Sequence, residues 1–412
     1  MAAKPCSFRA LGWRRSRSRR AGAVIVVTAV LASAGTACTS EPGVRPVAAG
    51  PRPPALLILK QGADNGNGDI FIAPVGGSAT GPEIVSNTGR VIWFHAVPAG
   101  ESATDFRTQT YQGKPVLTWW QGTGFGGPST GTDYIYNDRY QQIAEVKAGN
   151  GYSADGHEFL ITPWNTALIV AYAMTTANLT AIGGPADQAV IDGIVQEIDI
   201  STGQVLFQWN SADHVPYRDS ETPLPASAGV PWDWFHINAV HLDTDGNLLI
   251  DSRYTSTVYK VSPRTGKIIW ELGGKQSTFK LKAAPGQVLD RAGEIFADQH
   301  DPEAIGNGEY TLFDNEVGPS GTLLPYSRVV TVQLDLATKV ATLVRSVRQP
   351  EGMQAGAEGN AQTTRNGDLF VGWGALPYIS EFSPSGQLLF NAELADGASS
   401  YRAYRLPWHP AT

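Results

Sequence analysis

The sequence predicts an all-β protein, a six-bladed β-propeller, and three observations carry that expectation. Beyond its first segment the chain is a succession of short β-type runs parted by Gly, Asn, Asp and Pro, with 45 glycines in 412 residues. Many short strands with regular turn signals point to a sandwich, barrel or propeller, and no long window carries a helical apolar stripe. A repeat then selects among the three. A polar turn followed by an apolar strand stands at residues 87–93, 201–207, 264–270 and 385–390, with weaker copies at 139–146 and 337–344. Six spread copies fit the last hairpin of six four-stranded blades.

Taken in order, residues 1–37 read as a signal peptide. Arg14, Arg15, Arg17, Arg19 and Arg20 precede an apolar run at 21–34, which ends in Gly35-Thr36-Ala37-Cys38. A basic segment, a short apolar run and small residues before a cut site describe export; the run is short for a membrane span. A cysteine after small residues has the form of a lipobox, with Gly35 where Leu is usual. Cys38 is therefore the expected acylation site, simple secretion being the alternative, and Arg19-Arg20 leaves a twin-arginine route open. Cys6 and Cys38 are the two cysteines, so the body has no disulfide and relies on its own core. Residues 1–37 hold seven Lys and Arg and no acid, so their removal takes the formal charge from −7 to −14. Such a surface excludes nucleic acid as a partner and restricts membrane contact to the lipid anchor, on the outer face of the cell membrane. Residues 38–54 form a lipidated Pro-rich linker, and the propeller runs over 55–412.

Within the propeller a second hairpin precedes the first in each repeat, with tight turns at Gln112-Gly113, Trp164-Asn165, Asp245-Gly246, Asn307-Gly308 and Asn366-Gly367. These are strong hairpin signals, and they mark the two inner strands of each blade. About seven to nine residues ahead of these turns stand Asp105, His157, His236, His300 and Asn360. Blades surround an axis, so equivalent positions converge on one point at the channel mouth. Folding the hairpins brings Arg253 beside His236, Asp314 and Asn315 beside His300, and Tyr172 beside His157.

A guanidinium beside a ring of imidazoles is a site for a tetrahedral oxyanion, because its planar fork suits sulfate or phosphate oxygens. An acid or amide against His300 would fix its tautomer. Along the strand from His236, residues 236, 238 and 240 share a face, which makes Asn238 a second contact and His241 structural. Asp314, Asn315 and Asn360 are further substrate-binding candidates. Of the aromatic residues near strand ends, Trp120 is assigned to stacking on an aromatic substrate. His95, His214 and His409 fall outside the register. Gly273-Gly274-Lys275 lacks the spacing of a phosphate loop, and Asp243, Asp245 and Asn247 read as hairpin-turn chemistry, since no glutamate closes a calcium loop there.

These motifs carry a family resemblance. Residues 232–240, Ser252-Arg253 and 266–274, together with Gln299-His300-Asp301, Phe313-Asp314-Asn315 and Gly359-Asn360-Ala361-Gln362, resemble the signature of arylsulfotransferase-like proteins: the bacterial arylsulfate sulfotransferases and their broader lipoprotein branch. The resemblance implies a six-bladed propeller that moves a sulfuryl group from an aryl sulfate to a phenol without a nucleotide donor or other cofactor. It implies that His300 is transiently sulfated, that Arg253 and His236 stabilise the transferring group, and that His157 assists with the proton or the oxygens. No metal is expected, since a fixed guanidinium beside a dication is unfavourable. Two other readings remain: a non-catalytic ligand- or partner-binding propeller lipoprotein, and a quinone-dependent dehydrogenase, for which calcium and quinone ligands are not evident. The oligomeric state is left open.

Overall fold

The computed structural model describes residues 52–62, 68–77, 79–124, 126–318 and 321–411. The signal peptide, Cys38 and nearly all of the linker lie outside the described residues.

Six antiparallel sheets follow one another along the chain as the blades of a β-propeller. From inner to outer strand, blade 2 is Ser102–Tyr111, Lys114–Thr123, Thr130–Tyr136 and Gln142–Val146. Blade 3 is Phe159–Ile161, Thr166–Ala177, Gln188–Asp199 and Val205–Asn210; blade 4 is Ile237–Leu242, Leu248–Ser252, Thr257–Val261 and Ile268–Gly273. Blade 5 is His300–Gly306, Glu309–Asp314, Arg328–Asp335 and Val340–Arg348, with Lys280–Ala283 added in parallel outside it. Blade 6 is Asn360–Thr363, Leu369–Gly372, Tyr378–Phe382 and Leu388–Leu394.

Blade 1 closes the ring. Its inner strand, Ser399–Leu406, comes from the C-terminal end and pairs with Asp69–Val75, followed by Glu83–Val85 and Val91–Phe94. The first strand, Leu56–Gln61, adds instead to the outside of blade 6 (Leu56 opposite Leu394). Both ends of the propeller chain are thus tied into neighbouring blades, which removes free sheet ends at the seam. The closure also explains why the sequence carries six outer-hairpin turns but five inner ones. In blade 1 the two inner strands are not joined by a turn.

Stacked blades bury both faces of their middle strands, so these strands read as apolar runs rather than clean alternation. Leu248, Leu249 and Ile250 show the consequence: Leu248 and Ile250 pack toward blade 3 with Trp209 and Phe235, while Leu249 packs toward blade 5 with Leu312 and Val332. Trp119 and Trp120 divide in the same way. Trp119 joins Phe71 and Phe106 between blades 1 and 2, and Trp120 joins Phe159 and Ile169 between blades 2 and 3. Burying side chains of this size contributes about 1.5–3 kcal/mol each. This placement corrects the assignment of Trp120 to a substrate. It is fully buried, and its indole N–H donates to the Ala154 carbonyl at 2.9 Å. Close approach of the backbone makes room for the ring, since a Cβ on Gly131 would lie 2.4 Å from it.

Candidate active site

The heads of the inner strands of blades 3, 4 and 5 bring His157, His236 and His300 together with Arg253. The His157 and His236 rings meet edge to face with centroids 5.2 Å apart. Arg253 follows the second strand of blade 4, and its N–H donates to the His236 carbonyl at 3.0 Å. His300 lies within the electrostatic reach of Arg253, His157 and His236. Tyr172 and Tyr254 flank His236 at 6.0 and 4.8 Å, and Tyr401 flanks His157 at 5.7 Å. The four central side chains are nearly enclosed, at 3% exposure for His157, 7% for His236, 8% for Arg253 and 1% for His300.

The backbone at these strand heads is strained. His236, Asp298, Asp301 and Glu358 adopt φ of +49°, +53°, +54° and +67°. For residues with a Cβ the left-handed region costs on the order of 1 kcal/mol or more, and it persists where the surroundings over-determine it. At His236 the holding group is Asp233, whose carboxylate accepts the backbone N–H (3.1 Å) and ring Nδ1 (2.5 Å). His157 is held alike: Asp155 accepts its backbone N–H at 3.1 Å and its ring Nδ1. Ser129 adds donors to Asp155 from its N–H (2.9 Å) and hydroxyl (2.6 Å). Against burial, which pushes Asp155 up, the charge of His157 and these hydrogen bonds hold its carboxyl below the ordinary range.

His300 has a different partner. Its Nδ1 lies 2.7 Å from the Asn315 side-chain oxygen, while the Asn315 amide N donates to the Ala355 and Glu358 carbonyls at 3.0 Å each. Those two acceptors fix the amide, so its oxygen faces the ring and Nδ1 carries the proton. Nε2 then holds a lone pair, and the Glu358 backbone N–H approaches it at 3.3 Å. Burial, with Arg253 adding, pushes His300 well below its ordinary pKa. Burial also lowers His236, but there Asp233 pulls the other way.

The Arg253 guanidinium donates to the Gly356 carbonyl (2.7 Å) and pairs with Asp298 (3.1 Å). Burial pushes the Asp298 carboxyl up to about 7 against the pull of Arg253. Beside Asp298, a cavity of about 380 Å³ is lined by Glu221, Ser256, Phe296, Ala297 and Leu323.

Other sequence candidates hold the scaffold rather than face the imidazoles. Asn360 exchanges two 2.9 Å hydrogen bonds with the main chain of Ala403, which latches blade 6 to blade 1. The Asp314 carboxylate accepts from Arg328 at 2.8 Å and from the Ala297 N–H at 3.1 Å. Asn238 donates to the Gln299 carbonyl at 2.7 Å, because an irregularity between Ile237 and Ala239 breaks the simple alternation that set it beside His236. Asn315 is at the site, where it orients His300. The holding residues Asp155 and Asp233 escaped the sequence reading, although their spacing of two and three residues before a strand-head histidine was a usable signal. Tyr254, Tyr401 and Glu358 carried no signal of their own.

One step down the axis, His241, Glu158 and Asp301 offer ligand atoms within 4.8 Å of one another. His241 Nε2 lies 3.1 Å from both carboxylates, and Arg402 pairs with Glu158 at 3.0 Å and Asp301 at 3.4 Å. The guanidinium and imidazole already occupy the place of a cation, so these residues do not fit a metal ion.

Fold and site together define a class: a β-propeller with three strand-head histidines and an arginine gathered on its axis. The arylsulfotransferase (ASST) family matches residues 107–395, and the chain belongs to that family. Among solved structures, similar ones include a protein of unknown function from Bacteroides caccae, 13% identical, covering 85% of this chain and 98% of that one at a TM-score of 0.46. Another is the periplasmic gluconolactonase of Pseudomonas aeruginosa, 14% identical, with 82% and 99% covered and a TM-score of 0.43. The curated proteins give no significant match.

Proposed function

We propose that the protein transfers a sulfuryl group from an aryl sulfate to a phenol through a covalent intermediate on His300. One observation carries this reading: of the three clustered imidazoles, His300 alone is paired with an amide, the other two with carboxylates. An amide oxygen orients the ring and stabilises its cation less than a carboxylate does, which leaves Nε2 as a nucleophile. A carboxylate on Nδ1 orients each of the other two rings, which suits His157 and His236 to holding sulfuryl oxygens. In the first step the Nε2 lone pair attacks sulfur, and the S–O pair departs with the aryl oxygen. In the second, an acceptor phenol attacks the same sulfur, and the N–S pair returns to Nε2. Arg253, His236 and His157 would stabilise charge on the sulfuryl oxygens throughout.

In this reading the leader directs export and the chemistry takes place outside the cytoplasm, with Cys38 as the acylated anchor on the outer face of the membrane. No supply of phosphosulfate nucleotide is expected there, so a sulfate ester is the fitting donor. The test incubates purified protein with 4-nitrophenyl sulfate and a panel of phenols. Wild type should release nitrophenol only with an acceptor beyond one turnover, and intact mass should show one added sulfuryl group on His300. Absence of transfer across the panel, or undiminished transfer by His300→Ala, would end this reading.

A further inference from the structure

Four carboxyl groups surround the clustered imidazoles, and three are committed. Asp155 clasps His157, Asp233 clasps His236, and Asp298 pairs with Arg253. The fourth, Glu358, is not. Among the described residues no hydrogen bond engages its carboxyl oxygens, while its backbone is fixed on both sides. The N–H faces His300 Nε2 at 3.3 Å, and the carbonyl accepts from Asn315 at 3.0 Å. Its φ of +67° is held further by Gly374, where a Cβ would lie 2.6 Å from the Glu358 carbonyl carbon. This strained residue is therefore anchored at the nitrogen that would carry the sulfuryl group. His157 and Arg253 both act on the carboxyl electrostatically.

Two of the neighbouring hydroxyls are engaged elsewhere. Tyr172 donates to the Ile237 carbonyl at 2.6 Å, and Tyr401 donates toward the His157 and Asn238 carbonyls at 3.0 and 3.3 Å. His157 and His236 present Nδ1 to aspartates, which suits them to the sulfuryl oxygens. The aryl oxygen of a weakly acidic phenol, by contrast, needs a proton when it leaves and loses one when it attacks.

We infer that Glu358 is the general acid–base catalyst for the aryl oxygen, an assignment that rests on the sulfuryl-transfer reading above. In the donor step the Glu358 carboxyl gives its proton to the departing phenolate oxygen as the S–O bond breaks. The products are a neutral phenol, a Glu358 carboxylate and sulfated His300. In the acceptor step the carboxylate takes the proton of the incoming phenol as its oxygen bonds to sulfur. The N–S electron pair returns to Nε2, and both groups regain their starting forms. Burial pushes Glu358 up to about 6, against the pull of His157 and Arg253, so the group can exchange a proton near neutrality.

The test compares wild type and Glu358→Gln on aryl sulfates whose phenols span a wide acidity range, by single-turnover release from the full protein. A nitrophenolate leaves without help, whereas an alkylphenolate needs the proton. Glu358→Gln should release nitrophenol within threefold of wild type but alkylphenols on the order of 10²-fold more slowly. The acid–base limb in the wild-type pH profile should vanish in the variant. Equal loss across all donors, or an unchanged dependence on leaving-group acidity, would overturn the assignment. Wild type inactive on every donor would instead sink the transfer reading itself, and this one with it.

Discussion

Two clusters of buried ionisable groups occupy successive levels of the same inner strands, and they differ in what their charges face. His157 and His300 belong to the upper cluster, while their chain neighbours Glu158 and Asp301 belong to the lower. The lower cluster is closed. Arg107, Arg402 and His241 meet Asp105, Glu158 and Asp301 in contacts of 2.5–3.4 Å drawn from five blades. In the upper cluster the anions stand behind the imidazoles, on Nδ1, and His300 keeps a neutral partner. His241 in the lower cluster is held as a cation, and His300 in the upper as a base. Burial alone therefore does not distinguish a structural histidine from a reactive one; the charge of its partner does.

The comparison breaks most visibly at Arg402. Arg402→Met leaves Asp105, Glu158 and Asp301 without their shared cation in a site of no exposure. Uncompensated buried charge costs about 3–5 kcal/mol, so the melting temperature should fall by about 10 °C. A melting temperature within experimental error of wild type would show that the lower cluster is not a structural clamp.

In the upper cluster the same kind of change should act on rate. Arg253→Met leaves Asp298 unpaired, but that carboxyl is already pushed up to about 7 and can take a proton. The fold should survive, while transfer should fall about 10²–10³-fold through lost stabilisation of the sulfuryl oxygens. A variant that melts early yet keeps its turnover would reverse the roles assigned to the two levels.

The contrast can be sharpened at a single atom. Asn315→Asp replaces the amide against His300 with a carboxylate, the partner type of His157 and His236. An anion on Nδ1 favours the imidazolium, so the His300 pKa should rise, and the acidic limb of the rate profile should move up by about one pH unit. Single-turnover rates across pH 5–9 measure it. A limb that stays in place would detach Asn315 from the nucleophile.

Much of this was legible in the sequence, and the illegible part has a physical cause. The turn signals at residues 87–93 and 385–390 mark outer hairpins because local turn chemistry fixes them. The strand-head register located His157, His236 and His300, because blades repeat around an axis and equivalent positions converge. Asn238 and Asn360 misled, since a strand-head amide serves either a ligand or a neighbouring blade, and the backbone that decides comes from Gln299 and Ala403. Trp120 misled because period two places adjacent tryptophans on opposite faces, and in a propeller both faces are interior. Glu358 and Tyr401 enter the site through loop path and ring closure, neither of which leaves a local pattern.

The smallest expected effect isolates the charge state of His241. Burial lowers this imidazole, but Glu158 and Asp301 override it and push it up to about 10, with the Arg402 cation close by. Its folded pKa thus exceeds the unfolded value of 6.5, so the folded protein holds a proton that the unfolded chain releases between the two. The contribution is fully present below pH 6.5 and is lost as pH rises toward 10. His241→Gln should therefore melt below wild type at pH 6.5, and the gap should narrow by on the order of 5 °C by pH 9.5. A gap that stays constant with pH would mean that His241 acts by shape rather than charge, and the two levels would then differ less than their partners suggest.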